Sequence, residues 1–186
     1  MNSRKNTAFT LLEVVVVIGL IALMAIFVVG IMIANNRFFN NQTGEITAIS
    51  GTRQIADRIL EYGRLAVSVA SSYTYNTVDY SSGATTVIFQ IPSINSAGQV
   101  LTTYDYVIIT KDSVNPLRLL LFLVPDAASA RVPRNVELTN KLGDVLFTYD
   151  PNAASADAVN YSIQINMGGP SGAAETVEGR VTLRNK

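Results

Sequence analysis

Carboxylates are the side chains here whose type and spacing come nearest to chemistry. Glu13 stands at the head of an unbroken apolar run from Val14 to Ala34. An ionisable group at mid-span of a membrane helix costs about 2.5–3.5 kcal/mol, and less near an end, unless it is paired. Glu13 therefore needs a cationic partner or a shallow position at the headgroup boundary. Asp144, Asp150, Asn152 and Asp157 could offer hard oxygen ligands to calcium, but their spacing matches no ion-binding loop. Asp126 and Glu137 could act as a hydrolytic carboxylate pair, which requires a cleft and a raised pKa on one member. Nothing in the sequence brings those two together. Beyond the N-terminal segment lysine occurs only at Lys111, Lys141 and Lys186, and solvation is the simpler use of each than a serine–lysine dyad. Tyr73, Tyr75, Tyr80, Tyr104 and Tyr106 suit either an adhesive surface or ordinary cross-strand packing, and packing is the simpler use.

Composition narrows the chemistry further. The chain has no cysteine and no histidine, which removes thiolate nucleophiles, disulfides, imidazole or thiolate zinc sites and histidine-based triads. Phosphate loops, dinucleotide fingerprints and calcium-hand loops are absent, and the serine-rich stretches lack a nucleophile-elbow context. With 14 basic and 14 acidic residues there is no positive field for a nucleic-acid backbone. No catalytic residue, cofactor or metal is expected, and direct nucleic-acid binding is not.

The element that must hold Glu13 is the run that follows it. Val14 to Ala34 is twenty-one residues, which as a helix rising about 1.5 Å per residue spans roughly the 30 Å interior of a bilayer. Arg4 and Lys5 precede it and Arg37 follows, so the positive-inside bias places the start in the cytoplasm and the C-terminal part outside. A secretory signal or plain anchor fits the same outline. Conventional cleavage, however, wants small residues at the far end, where Met32-Ile33-Ala34 stands. Gly19 and Gly30 read as close-packing positions of a membrane helix.

The order Ala8-Phe9-Thr10-Leu11-Leu12-Glu13, a polar leader before it and a long hydrophobic helix after it, resembles the class III signal of type IV pilins and pseudopilins. The resemblance implies that a prepilin peptidase/methyltransferase cuts between Ala8 and Phe9 and methylates the new amine. Where the family has glycine before the cut, this chain has Ala8. The family's glutamate corresponds to Glu13, which would pair with the free amine of a neighbouring Phe9 and set subunit register. The leader carries Arg4 and Lys5, so its loss leaves two more acidic than basic residues.

Past the span, Asn35, Asn36, Asn40 and Asn41 around Phe38 and Phe39 mark an interfacial junction. Ile46, Ile49, Ala56, Ile59, Leu60 and Val67 then recur near helical spacing, predicting an amphipathic helix over residues 45–70 that bends or breaks near Gly44 or Gly51. Strands are predicted at Thr85–Ile91, Thr103–Thr110, Leu117–Val124, Val145–Tyr149, Asn160–Asn166 and Thr176–Arg184. Turns are predicted at Pro92–Val100, Lys111–Pro116, Pro151–Ala158 and Gly168–Ala174. Leu117–Val124 is apolar on both faces apart from Arg118, as in a central strand with the helix on one side and another layer opposite. Ala127–Leu142 reads as helix-like or irregular, a texture similar to minor pilins.

The expected fold is α+β and pilin-like, a long N-terminal membrane-spanning helix packed by its outer half on an antiparallel β-sheet head. The expected organisation is a leader at 1–8, a transmembrane and filament-core helix with its junction at 9–43, and a head at 44–186, β-rich over 72–186. The resemblance implies a minor pilin or pseudopilin of a type IV pilus-like or type II secretion filament. Its partners would be other pilin-like subunits, the peptidase, the membrane-embedded assembly machinery, and lipid before assembly. It would sit as a single-pass protein of the cytoplasmic membrane and then in a cell-surface or periplasmic filament. A major subunit, or a membrane-tethered binding protein that never assembles, is the alternative.

Overall fold

The structure is a computed structural model that describes residues 10–166 and 174–183. The chain divides into two units, Met1–Thr43 and Gly44–Lys186. One helix, α1 (Leu11–Leu65), begins in the first and ends in the second. Helical backbone persists at Gly44 and Gly51, so the expected break at those glycines does not occur. The helix also stops at Leu65, short of residue 70. Ala66 N reaches back to Gly63 O (3.2 Å), and Val67 N then bonds Gln90 O (2.9 Å), so pairing with the sheet replaces the next helical turn.

Among the described residues ten strands follow: β1 (Ser68–Val69), β2 (Ser72–Tyr75), β3 (Val78–Ser81), β4 (Thr86–Ile94), β5 (Val100–Lys111), β6 (Leu119–Val124), β7 (Arg134–Thr139), β8 (Leu142–Asp150), β9 (Ala158–Asn166) and β10 (Ala174–Thr182). Every pairing is antiparallel. The head is not one sheet. It holds a five-stranded sheet ordered β1-β4-β5-β6-β7, a three-stranded sheet ordered β10-β9-β8, and the hairpin β2-β3. β8 is not laddered to the larger sheet; its Leu142 N bonds Leu117 O (2.8 Å), just before β6, and its Phe147 N bonds Ala84 O (2.7 Å), just before β4.

Within the head, the helix buries Ala48, Thr52, Ile55, Ala56, Ile59, Tyr62 and Gly63, a spacing of three and four that makes one stripe. The stripe is rotated from the one predicted, because Ile46 is 66% exposed while Ala48 and Thr52 are buried. Small side chains let the helix come close. A Cβ on Gly63 would lie 2.6 Å from Val181 Cγ2. Thr52 returns its buried hydroxyl to Ala48 O and Ile49 O. One core joins this stripe to Phe89, Ile109 and Leu121 of the larger sheet and to Phe147, Ile163 and Val181 of the smaller.

β6 has the two-sided burial expected of a central strand. Leu119, Leu121 and Leu123 enter the main core, while Leu120 and Phe122 face a second cluster under Tyr73, Tyr75 and Tyr80. The covering layer is the β2-β3 hairpin, which the sequence pattern did not predict. Its two-residue turn, Asn76-Thr77, has positive φ at both positions (49° and 65°), the geometry that closes a tight antiparallel hairpin. The expected irregular patch Ala127–Leu142 contains β7, whose Val136 pairs with Leu121 of β6 and whose Leu138 falls at a register shift and packs against the main core. The predicted turn at Gly168–Ala174 falls largely outside the described residues. At Pro92, β4 continues through a register shift to Ile94 where a turn was predicted.

Candidate functional site

Unit Met1–Thr43 carries the first candidate. Residues 10–43 are all exposed. Among the described residues only α1 is long and apolar enough to cross a membrane, with a window of mean hydropathy 3.2 and none of it buried. Leu11 is 85% exposed and Ile26 73%, whereas Ile55 and Ile59, further along the same helix, are at 0%. Burying a side chain of this kind stabilises by about 1.5–3 kcal/mol. A surface of this extent therefore calls for lipid or protein around it. Nothing lies within 4 Å of a Cβ built on Gly19 or Gly30, which leaves those two positions open to close approach.

Ala8 and Phe9 lie outside the described residues. Glu13 lies in the first turn of α1. Thr10 caps that turn, its Oγ1 accepting from Glu13 N at 3.3 Å and its carbonyl at 3.0 Å. The spacing Thr10-x-x-Glu13 is that of a capping box, a local signal the sequence reading passed over. A carboxylate there is stabilised by the positive end of the helix by about 0.3–1 kcal/mol. Its side chain makes no ion pair among the described residues. Glu13 can therefore do two things at once, stabilise the helix start and present a carboxylate to a cation from outside the chain.

The head disperses the other candidates. Asp144 faces Lys111 (3.7 Å), Asp150 pairs with Arg180 (2.8 Å), and Asn152 Oδ1 caps the 3-10 turn Ala153–Ser155 through Ser155 N (3.1 Å). Asp157 N bonds Asp150 O at 2.8 Å. No three acidic side chains among the described residues stand together as metal ligands. Asp126 Oδ1 accepts from Ala128 N (2.9 Å) and Glu137 pairs with Arg118 (3.2 Å), so the supposed hydrolytic pair is engaged separately. Tyr73 stacks on Tyr106 at 4.0 Å, and Tyr75 and Tyr80 tilt onto Phe122, which makes these four tyrosines a packing layer; Tyr104 remains 43% exposed.

Two polar nodes were missed. Asp105 is fully buried and accepts from Ser93 Oγ (2.7 Å), Asp126 N (2.8 Å), Ser129 Oγ (2.8 Å) and Arg131 Nη1 (2.5 Å). Burial pushes its carboxyl pKa up, but the hydrogen bonds from Ser93, Asp126 N, Arg131 and Ser129 together outweigh it and hold the group below the usual carboxylate range. A signal existed, since Asp105 shares strand parity with the core residues Val107 and Ile109. Tyr149 donates to Thr86 O (2.6 Å) and Gly83 O (3.1 Å), fastening the smaller sheet to the start of β4. Burial pushes its phenol up to about 12. The Asp105 node fastens the turn from Asp126 to Arg131 to β5, and the Tyr149 node fastens β8 to the start of β4.

No protein-family model matches this chain, and no curated protein matches its sequence.

Proposed function

We propose that this chain is a structural subunit of a type IV pilus-like or type II secretion filament, of the minor pilin or pseudopilin kind, and that it performs no catalysis. The observation that carries this reading is the contrast between the two units. The head closes its own core, while the helix from Leu11 to Thr43 exposes its whole apolar surface behind a first-turn carboxylate. Before assembly, lipid covers that surface and the head lies outside the cytoplasm. In the filament, like helices from neighbouring subunits replace lipid, which requires close packing more than hydrophobicity. Maturation removes residues 1–8 through the prepilin peptidase/methyltransferase, and the new amine of Phe9 meets Glu13 of the next subunit. In an apolar bundle an unpaired carboxylate is destabilising, so this pairing fixes the axial register.

Intact-mass and N-terminal analysis of the protein from membranes and from sheared filaments tests the reading. The expected chain begins at N-methylated Phe9. A retained Met1–Ala8, or a cut near Ala34, refutes it. Glu13→Val is expected to insert into the membrane normally and to be depleted from filaments; equal incorporation of the variant would refute the pairing role.

A further inference from the structure

The face of the five-stranded sheet that lies under the β2-β3 hairpin is built in rows across β4, β5 and β6, and the hairpin does not cover all of them. Ile88-Ile108-Phe122 is one such row, set by strand register and sealed under Tyr75 and Tyr80. The adjoining row is Thr86-Thr110-Leu120, in the same register, and there the surface changes from apolar to hydroxylated. A cleft of about 430 Å³ opens over this row, within the size of small-ligand sites. Asp79, Tyr80 and Ser81 of β3 form one wall, and Lys111, Asp112 and Ser113, where β5 turns toward β6, form the other.

The groups in the cleft differ in what they already hold. On the floor, Thr86 and Thr110 bond each other at 2.7 Å. Asp79 Oδ1 accepts from Thr74 (2.5 Å) and Asp112 Oδ1 from Val114 N (2.9 Å), which leaves the second oxygen of each carboxylate open. The hydroxyls of Ser81, Thr85 and Ser113 have no protein partner among the described residues. Lys111, the one cation of the lining, faces Asp144 at 3.7 Å. Tyr80, whose ring is tilted on Phe122, and Leu120 both line the cleft, so an aromatic and an aliphatic side chain share it with the open acceptors and hydroxyls.

We propose that this cleft binds a neutral sugar unit of a glycan. A pyranose offers an apolar C–H face to an aromatic or aliphatic surface and a rim of hydroxyls that both donate and accept. Tyr80 and Leu120 meet the first requirement, and Asp79, Asp112 and the free hydroxyls meet the second. The charges disfavour the competing classes. Two carboxylates with one engaged ammonium repel phosphate, and a purely apolar ligand would cover the hydroxyls of Ser81, Thr85 and Ser113 without giving them partners.

The test uses the full chain in a detergent without a sugar headgroup, with methyl β-glucopyranoside, methyl α-mannopyranoside and diacetylchitobiose as probes in saturation-transfer NMR. At least one probe is expected to bind saturably with a dissociation constant of about 1 mM, typical of a small exposed site. Ser113→Tyr fills the cleft from an exposed position, and Asp112→Ala removes a charged acceptor; each is expected to weaken binding about tenfold or more. A circular dichroism melt checks that both variants stay folded. Failure of all three probes to saturate at tens of millimolar, or unchanged binding in either folded variant, overturns the proposal.

Discussion

Replacing Asp105 by alanine in the head Gly44–Lys186 strips one acceptor from four donors at once: Ser93 Oγ, Asp126 N, Ser129 Oγ and Arg131 Nη1. Hydrogen bonds to a charged group contribute about 1.5–3 kcal/mol each, but they do not sum here, because Arg131 keeps its bond to Pro92 O at 2.6 Å and the turn from Asp126 to Arg131 can reach water once released. The governing term is the guanidinium left without its anion at a site where its side chain is only 19% exposed. Breaking a buried pair on one side costs about 3–5 kcal/mol. Set against the roughly 5–15 kcal/mol of a whole domain, that is a third or more of its stability. The pH dependence follows from the sign of the shift. The folded head holds the Asp105 carboxyl below its ordinary range, so the unfolded chain binds that proton more tightly. The contribution is complete above about pH 4 and is lost as pH falls through the folded value. Urea titrations followed by circular dichroism at neutral pH and near pH 3 would measure both effects. Asp105→Ala should be less stable by about 3–5 kcal/mol at neutral pH and should lose less on acidification than the parent. A variant within about 1 kcal/mol of the parent at neutral pH, or equally acid-sensitive, would sink the argument.

Three further outcomes are expected. The fragment Gly44–Lys186 holds the helical stripe and both sheets of the core, so it should be soluble without detergent and melt in one cooperative transition; aggregation or a broad melt would show that the sheets depend on neighbours. Gly63→Ala gains up to about 1 kcal/mol of helix propensity but sets a methyl 2.6 Å from Val181 Cγ2, an overpacking worth about 1–3 kcal/mol, so a thermal melt should read a net loss. Thr77→Gly removes a β-branched residue from φ 65° and should raise stability by about 0.5–1 kcal/mol in the same melt; a loss would show that the bond from Thr77 Oγ1 to Asn76 O outweighs the strain.

The sequence alone settled what depends on local order. Val14 to Ala34 is apolar on every side, so no fold of this chain was needed to see a helix without a partner of its own. Strand periodicity was legible where alternation is strict, as in Asn160–Asn166, because period two survives any choice of neighbours. Glu13 as a residue needing a partner was equally legible, since the cost of its charge depends on the run beside it. What tertiary structure decided begins where local signals compete. Glycine propensity argued for a break at Gly44 or Gly51, yet helix persists there, and a Cβ on Gly51 would lie 3.5 Å from Ile165 Cδ1, where helix and smaller sheet meet. Ile46 matched the helical period and is exposed, because which stripe is buried depends on where two sheets stand and not on the period itself. The division into five-stranded and three-stranded sheets had no trace in the pattern, since alternation along a strand does not say which strand it pairs with. Asp105 is the sharpest case. Its strand parity marked it as inward, but the four donors that make a buried carboxylate tolerable come from positions 93, 126, 129 and 131, and only the folded chain brings them to one point.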